Sequence, residues 1–474
     1  MLLQIITAIS DFLWGTPMTV ALVGTGLYLG IRFGFRYNFR KVRFNFRNTF
    51  GKMFRKGEGA GTVSGFAAAC TAMANTIGVG NIGGVATAIV SGGPGAVFWM
   101  WVSGLLGMST KACEIILGQR YRVKYSQSMD EYMCDRSFVM RNALGWKKGA
   151  VVLAVACFVL GPWTCCVQTE SVTGALEEGF GIDPTISVIV LGLTCFLTIA
   201  GGLKRISAIM ERVVPFMALL YILGGLGILL MNLPQVPSAV ALIFKSAFTP
   251  MAGVGGFAGA TVRDAIRYGI ARGLYSNDAG TGYGIIAHAS AKTDHPVRQA
   301  SWGWGEVFLD TIVVCSITAI SILVSGALET GKTSMGLTIA AFEMSFGRPG
   351  EIFIAFLCVL FGITTTAGWF MFYTTILHHV LKNNVQLANK IEKVLKICYP
   401  IPNIVIVAMI VMTGSGPDMF WTIVDISLVV PVFFNVIALL ALSGKYKALL
   451  KDYRARYLNE GEVDPDFKVF YDAP

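Results

Sequence analysis

Two runs of glycine and small polar residues interrupt stretches of the chain that are otherwise strongly apolar. The runs are TIGVGNIGG at residues 76–84 and SNDAGTGYG at residues 276–284. Glycine lets a helix unwind, and unwound backbone exposes N–H and C=O groups that need partners in an apolar surrounding. N–H groups at the start of a helix suit an anion, and free carbonyls suit a small cation. Each run is therefore a candidate binding site.

In the first run, the chemistry divides between the two sides of the break. The N–H groups of residues 80–84 face the gap together with the positive end of a helix dipole, which favours a substrate carboxylate. The carbonyls of residues 74–77 end the preceding half-helix and favour Na⁺. A simple kink, or close helix packing through small residues, is the structural alternative. The presence of two such runs favours a binding site.

Side chains in two other apolar stretches have the chemistry to complete this site. Thr364 and Thr365 carry hydroxyl oxygens, which are hard ligands for a cation unless they bond to the backbone of their own helix. Gln168 has two donors and two acceptors in an apolar surrounding, so it needs either a neighbouring helix or a ligand.

Charged side chains within apolar stretches are costly, and they mark either structural ties or functional positions. Lys111 and Glu114 have the spacing of a helical i, i+3 pair, which favours a structural role. Glu306 and Asp310 share one helix face, and Asp425 lies within another apolar stretch. The four histidines and ten cysteines show no metal-ligand spacing, so we expect no metal site beyond one for Na⁺.

The composition indicates that these residues are held within a membrane. Apolar residues make up 54% of the 474 positions, and charged residues make up 14%. An average soluble domain has about 25% charged residues. The net charge of +10 would suit a nucleic-acid partner in a soluble protein, but the basic residues here flank apolar stretches. We therefore expect the lipid bilayer as a partner, and no nucleic acid.

Stretches of about 20 apolar residues predict eleven membrane-spanning helices. In chain order, the predicted spans are 12–34, 62–92, 96–118, 149–176, 184–201, 213–232, 251–290, 300–325, 351–380, 396–413 and 418–442. The stretch at 251–290 is too long for one plain helix. The two glycine runs fall in spans 2 and 7, Gln168 falls in span 4, and the two threonines fall in span 9.

The distribution of basic residues predicts the orientation of these spans, because loops rich in Lys and Arg stay in the cytoplasm. With the N-terminus outside, the segments that face inward hold 31 of the 38 Lys and Arg residues, counting Lys396 at the edge of its span. The outward segments hold Lys245, Lys332 and Arg348. We therefore expect a multi-pass protein of the cell (inner) membrane with a cytoplasmic C-terminus.

Eleven spans are consistent with a leading helix at 12–34 and two repeats of five spans, at about 62–232 and 251–442. An odd number of spans inverts the second repeat, and each repeat then begins with a glycine-interrupted helix, which is the sequence sign of a transporter site. We expect a transmembrane domain over residues 1–444 and a cytoplasmic tail over 445–474. A channel would instead show filter-like repeats or rings of charge, and a membrane enzyme would show a nucleophile–base pair.

Long segments around both breaks resemble the alanine-or-glycine:cation symporters, the bacterial sodium/alanine symporters. These segments include GVGNIGGVATAIVSGGPGAVFWMWVSGLLGMSTKACEIILGQRYR, GGFAGATVRDAIRYGIARGLYSNDAGTGYGIIAHASAKTDHPVRQ, EVFLDTIVVCSITA and TTTAGW. The resemblance covers residues 12–445. It implies an all-α membrane protein of eleven helices with a leucine-transporter-like inverted repeat and discontinuous helices 2 and 7. It also implies symport of a small neutral amino acid with Na⁺.

The resemblance and the residue chemistry together give one set of expected ligands. Residues expected to bind the substrate are Thr76, Gly78, Gly80, Asn81, Gly83, Gln168, Ser276, Asn277, Gly280 and Trp369. Residues expected to bind Na⁺ are Ala74, Asn75, Ile77, Thr364 and Thr365. The substrate amino group is expected near the carbonyls of residues 276–280, and Gln168 and Trp369 are expected to bound a small side-chain pocket.

Three differences from the family pattern lie near the expected pocket. Asp278 stands where the family usually has Glu, Tyr283 where it has Ser, and Asn75 where it has a small residue. We expect secondary active symport of alanine or glycine with Na⁺, no catalytic activity, no other cofactor and no obligate protein partner. The alternative is a symporter of another neutral amino acid, such as serine or glutamine, with proton coupling left open.

Overall fold

The computed structural model describes most of the chain. It covers residues 9, 10, 12–34, 43, 46, 47, 49, 51, 59–124, 131–250, 260–381, 384–413 and 418–471. Side chains are described in these ranges except at 33, 34, 160–164, 167, 410–413 and 418–424. The first residues of predicted span 7, 251–259, lie outside the described residues.

Apolar stretches form helices, because a helix satisfies its own backbone hydrogen bonds in lipid. In chain order, the α-helices are α1 (Thr16–Leu29), α2 (Gly65–Thr76), α3 (Val85–Gly92), α4 (Gly95–Arg120), α5 (Arg136–Leu144), α6 (Lys147–Phe180), α7 (Pro184–Ile199), α8 (Gly202–Met231), α9 (Val236–Ser246), α10 (Val262–Asn277), α11 (Gly284–Ala289), α12 (Pro296–Val307), α13 (Cys315–Ser325), α14 (Ser334–Phe346), α15 (Arg348–Val380), α16 (Val385–Cys398), α17 (Ile401–Thr413), α18 (Asp418–Ala441) and α19 (Ser443–Leu458). Strands β1 (Val123–Lys124) and β2 (Tyr132–Met133) pair antiparallel. The described chain is thus almost entirely helical.

A helix or helix pair lies at each predicted span. One difference is α8, which begins at residue 202 rather than 213, because its first turns are polar and hydropathy detects the apolar part alone. By length and composition, the described residues hold four helices able to cross a membrane, or six when each of two bent pairs counts as one span. The count of eleven spans stays a prediction.

Two apolar clusters lie at the two ends of α4. The first contains residues 96–100 of this helix together with side chains of α3 and α13. The second contains residues 112–121 together with side chains of α5, α11 and α19. The segments in the second cluster are those whose basic residues predict a cytoplasmic location, and we call this end of the bundle the basic end.

Close packing of α10 on α4 fixes the position of predicted span 7. A Cβ atom at Gly269 would lie 2.4 Å from the backbone oxygen of Ala96 and 2.7 Å from Cβ of Trp99. One turn later, a Cβ atom at Gly273 would lie 3.1 Å from Ser103. Small residues at this spacing let two membrane helices approach closely. The end of α10 is therefore held beside the middle of α4.

Candidate functional site

The helix of predicted span 2 is interrupted at Ile77. α2 ends at Thr76, Ile77 has extended backbone (φ −77°, ψ 98°), and a π-helical turn begins at Gly80. The axis bends by 49° across this interruption. In an unbroken α-helix the carbonyl of Ala74 would accept from the N–H of Gly78, four residues later. The interruption separates these two backbone groups, and each needs another partner.

Side chains supply both of the missing partners. The N–H of Gly78 donates to Oδ1 of Asn81 at 2.8 Å. The carbonyl of Ala74 accepts from the hydroxyl of Thr365, on α15, at 2.8 Å. The neighbouring Thr364 hydroxyl instead donates to backbone carbonyls of its own helix, as threonines in helices often do. Of the two threonines, Thr365 is the one that faces the break.

Predicted span 7 is interrupted between the end of α10 and the start of α11. Asp278 (φ 58°), Gly280 (φ 106°) and Gly282 (φ 77°) all have left-handed backbone. Glycine adopts this conformation without steric cost, which explains the two glycines. We call residues 278–283 the span-7 loop.

Glu114 on α4 holds the span-7 loop by its backbone. Its Oε1 accepts from the N–H groups of Gly280 at 2.9 Å and Gly282 at 3.1 Å. The side-chain amide of Asn435, on α18, donates to the same oxygen at 2.6 Å. Hydrogen bonds to a charged group are stronger than neutral ones. The loop is therefore fixed in shape by a buried carboxylate.

Two basic side chains contact the same loop. Nζ of Lys111 lies 4.0 Å from Oδ2 of Asp278. The guanidinium of Arg136, on α5, donates to the carbonyl of Thr281 and lies 3.9 Å from the centre of the Tyr283 ring. A cation over an aromatic ring at this distance is attracted to it. The spacing of Lys111 and Glu114 predicts a structural pair, but the structure directs both side chains to the loop.

A buried carboxylate on predicted span 8 connects the two interrupted helices. Oδ1 of Asp310 accepts from the amide of Asn81 at 2.6 Å, and Oδ2 accepts from the hydroxyl of Ser276 at 2.8 Å. Thr311 donates to Oδ2 at 2.8 Å as well. The Asn81 amide also donates to the Ser276 hydroxyl at 2.8 Å. These contacts tie spans 2, 7 and 8 together beside both interruptions.

A small cavity lies between the two interrupted helices. Its volume is about 20 Å³, which is room for a water molecule but not for an amino acid. The residues that line it are Asn75, Thr76, Gly80, Gln168, Tyr275, Asp278, Thr281, Trp369 and Leu428. The cavity thus brings together residues of predicted spans 2, 4, 7, 9 and 11.

Aromatic rings adjoin the cavity. The ring of Tyr283 lies 4.7 Å from that of Trp369 and stacks on that of Phe372 at 5.1 Å. A second cavity of about 480 Å³ is lined by Phe370 and Met371 of the same helix and by polar side chains of α16. The span-9 helix therefore borders both cavities.

Comparison with known proteins identifies the family of this chain. The chain matches the sodium:alanine symporter family over residues 1–469. The chain belongs to this family. It is therefore an integral membrane symporter that couples amino acid transport to Na⁺, and it is not an enzyme.

Individual relatives agree with this assignment. An uncharacterised transporter of Bacillus subtilis, YflA, is 40% identical over 457 residues, which is 95% of this chain and 93% of the relative. The sodium/alanine symporter AgcS of Methanococcus maripaludis is 36% identical over 468 residues, 97% of this chain and 99% of AgcS. A solved Na⁺-coupled sialic acid symporter has a similar fold, with a TM-score of 0.52 at 14% identity, covering 95% and 92% of the two chains.

The structure of this symporter separates the expected ligands into three groups, of which two are described first. Those that line the small cavity are Asn75, Thr76, Gly80, Gln168 and Trp369. Others are engaged by the protein itself: Asn81 and Ser276 bond to Asp310, and the N–H of Gly280 bonds to Glu114.

The remaining expected ligands lie close to the break or away from the cavity. A Cβ atom at Gly78 would lie 3.0 Å from the Thr365 hydroxyl, so this glycine lets span 9 approach. A Cβ atom at Gly83 would meet Ser334 at 3.1 Å, on α14. The amide of Asn277 donates to Thr311 at 3.1 Å. Gly83 and Asn277 therefore do not line the cavity, and they hold the interrupted helices against neighbouring elements.

Several residues at the site are missing from the expected ligands. Tyr275 lines the cavity one residue before the second glycine run. Glu114, Asp310 and Asn435 position the interrupted helices, and the signal for the first two is their charge within an apolar stretch. Arg136 lies in a polar connecting segment, where nothing in its sequence surroundings distinguishes it.

Proposed function

We propose that this symporter moves alanine or glycine into the cell together with Na⁺ by alternating access. The observation that carries the proposal is the contact between the Ala74 carbonyl and the Thr365 hydroxyl, beside a small cavity bordered by both interrupted helices. Interrupted helices at the middle of a transporter are where substrate and coupling ion bind. Family membership supports the class of transport, and this geometry supports the proposed position of the binding sites.

The proposed Na⁺ site lies at the break of span 2. Its ligands are the carbonyls of Ala74 and Ile77, the hydroxyl of Thr365 and the amide oxygen of Asn75. That amide oxygen is buried and has no hydrogen-bond donor among the described residues, so it is available to a cation. Oxygen ligands of this kind suit a hard cation. Thr364 bonds to its own helix and is left out of the site.

The proposed substrate site occupies the small cavity. The substrate carboxylate faces the N–H groups that follow the break, around Gly80, where the helix dipole is positive. The substrate ammonium faces Asp278, the one acid among the described lining residues, and the amide oxygen of Gln168. This oxygen is buried and has no donor among the described residues. An ammonium group would satisfy both.

The walls of the cavity favour a small side chain. A Cβ atom at Gly80 would lie 3.1 Å from the Tyr275 ring, so this ring packs directly against the backbone at Gly80. Trp369 forms another wall and is itself packed by Tyr283. Since the closed cavity is smaller than alanine, these walls separate when substrate enters. A large substrate side chain would require a larger displacement of the packed rings of Tyr275, Trp369 and Tyr283.

Coupling follows if Na⁺ and substrate bind the same conformation, because each then favours the binding of the other. The charge distribution supports an orientation with the N-terminus outside and the basic end in the cytoplasm of a cell (inner) membrane. In that orientation, the larger cavity lies towards the cytoplasmic side, because Lys204 and Lys393 of predicted inward segments line it, and it adjoins the helix that holds Thr365. We assign this cavity to the release path.

Uptake into proteoliposomes tests the proposed function. With Na⁺ higher outside, we expect labelled alanine or glycine to accumulate, and replacing Na⁺ by choline should abolish accumulation. A competition series with all twenty amino acids identifies the substrate class, and we expect serine to compete less well than alanine and tryptophan not at all. Accumulation that continues in choline would contradict the Na⁺ site. Stronger competition by a large side chain than by alanine would contradict the pocket assignment.

A further inference from the structure

Helix α16 lies between α15 and α17, the helices of predicted spans 9 and 10. It has 14 residues, Val385–Cys398, which is too few to cross a bilayer. The larger cavity that it lines is also lined by Tyr132 and Met133 of β2 and by Ile286 of α11, so α16 lies at the basic end. A short helix between two spans at this end lies where the bilayer meets water.

Two opposite faces of α16 differ in their surroundings. One face is polar and lines the larger cavity with Asn389, Glu392, Lys393 and Lys396. At about 100° per residue, positions 387, 391, 394 and 398 point away from that cavity. All four are apolar, and we call them the outer face: Leu387, Ile391, Val394 and Cys398. Leu387 is 40% exposed and Val394 is 60% exposed, so no part of the described chain covers this face fully.

The outer face adjoins a helix whose own surface faces lipid. α16 contacts α7 and α15, and its Ala388 is fully buried. Near its end, α7 exposes Leu193 and Leu197 by 60% and 53%. Leucines exposed on a membrane-spanning helix are covered by acyl chains, which are as apolar as leucine. The outer face therefore extends a lipid-covered surface towards the edge of the bilayer.

The lysines of α16 add a positive charge beside the outer face. Glu392 is matched by Lys396 at 3.1 Å and by His378 at 2.9 Å. Lys390 and Lys393 are exposed, and neither forms an ion pair with an acidic side chain among the described residues. Long lysine side chains reach from such a helix to headgroup phosphates. A free phosphate would match these lysines but leave the apolar face uncovered, whereas a phospholipid matches both.

We propose that α16 binds anionic phospholipid at the basic end of the protein. Leu387 and Val394 lie against the acyl chains, and Lys390 and Lys393 face the negative headgroups. This surface is separate from the proposed substrate and Na⁺ sites. Since the opposite face of α16 forms a wall of the larger cavity, the bound lipid supports that wall from the membrane side.

A fluorescent label on Cys398 reports which lipids contact the outer face. Cys398 is exposed and the other cysteines are buried, so a maleimide dye reacts at this position. The labelled full chain is placed in bilayers of phosphatidylcholine and phosphatidylglycerol, with bromine on the acyl chains of one lipid or the other at equal mole fraction. Bromine quenches the dye on contact, so the ratio of the two quenching constants measures the preference for the anionic lipid. Cys398→Ser is the labelling control and should take up no dye.

The lysine variants separate a local site from a general effect of charge. Each lysine beside an anionic surface contributes a factor of about 5 to lipid association, so we expect the wild type to prefer phosphatidylglycerol by at least that factor. Lys390→Gln combined with Lys393→Gln should abolish the preference, and the corresponding double arginine variant should keep it. Lys147→Gln combined with Lys148→Gln removes two exposed lysines at the start of α6 and is the matched control, which should behave like the wild type.

Three results would overturn the lipid site. Absence of quenching by either brominated lipid would mean that something other than lipid covers the outer face. Equal quenching by the two lipids would mean that the lysines select no anionic headgroup. An equal loss of preference in the variant of Lys147 and Lys148 would assign the effect to net charge rather than to α16. Because the readout is lipid contact and not uptake, each result leaves the proposed function to its own test.

Discussion

Replacing Thr365 by valine removes one oxygen from the break of span 2 and keeps the shape of the side chain. In the structure, its hydroxyl donates to the buried carbonyl of Ala74 at 2.8 Å. A polar contact to a charged group contributes about 1.5–3 kcal/mol. If the same hydroxyl is a Na⁺ ligand, a loss of this size raises the Na⁺ concentration for half-maximal uptake by roughly 10- to 150-fold. The assay is alanine uptake into proteoliposomes over a series of Na⁺ concentrations.

Two variants separate a ligand from a structural contact. Thr365→Ser keeps the oxygen and should keep the Na⁺ dependence close to wild type. Thr364→Val removes a hydroxyl one position away that bonds to the carbonyls of Leu360 and Phe361, so we expect no change in Na⁺ dependence. An unchanged half-maximal Na⁺ concentration for Thr365→Val would refute the assignment. An equal increase for Thr364→Val would refute the distinction between the two threonines.

Three further changes test other parts of the structure. Asp310→Asn exchanges a carboxylate oxygen for an amide group facing buried donors, and we expect a loss of about 1–3 kcal/mol in thermal unfolding and impaired uptake; wild-type uptake would contradict its role. Gly269→Ala brings Cβ within 2.4 Å of a backbone oxygen, so we expect a clear fall in melting temperature, whereas Gly174→Ala, which meets nothing within 4 Å, should leave it unchanged or higher; equal melting would contradict the packing. Burial lowers the pKa of His295 to about 3 in the folded protein. In the unfolded chain, the His295 ring binds a proton as the pH falls through about 6.5, before the folded protein does. The folded protein then loses about 2 kcal/mol of stability by pH 5, and His295→Asn, which preserves the helix cap, should flatten the fall in melting temperature; an unchanged slope would contradict this.

Local chemistry explains what the sequence predicts well. Predicted span 5, 184–201, corresponds to a helix at Pro184–Ile199, because Asp183 caps its start and proline suits its first turn. The glycine run at 76–84 predicts an interruption, since glycine is the residue that permits unwound backbone. These features depend on neighbours in the chain, and the sequence contains them directly.

Long-range contacts explain what the sequence does not predict. Thr364 and Thr365 are adjacent, but side chains on a helix are separated by about 100° per residue, so sequence alone does not decide which one faces span 2. In the structure, Thr365 is the one that faces span 2, and its hydroxyl donates to the Ala74 carbonyl. Likewise, the contact of Arg136 with the span-7 loop joins residues that lie 145 positions apart. No local pattern encodes such a pairing.

Equilibrium binding tests most directly whether Na⁺ and substrate bind together, in adjacent sites beside the break of span 2. Alanine affinity of the purified protein should be measured at zero and at saturating Na⁺, and Na⁺ affinity should be measured with and without alanine. We expect each ligand to increase the affinity for the other by the same factor, as linkage requires, and Thr365→Val to reduce this factor. Alanine affinity that does not depend on Na⁺ would contradict coupled binding at the break of span 2.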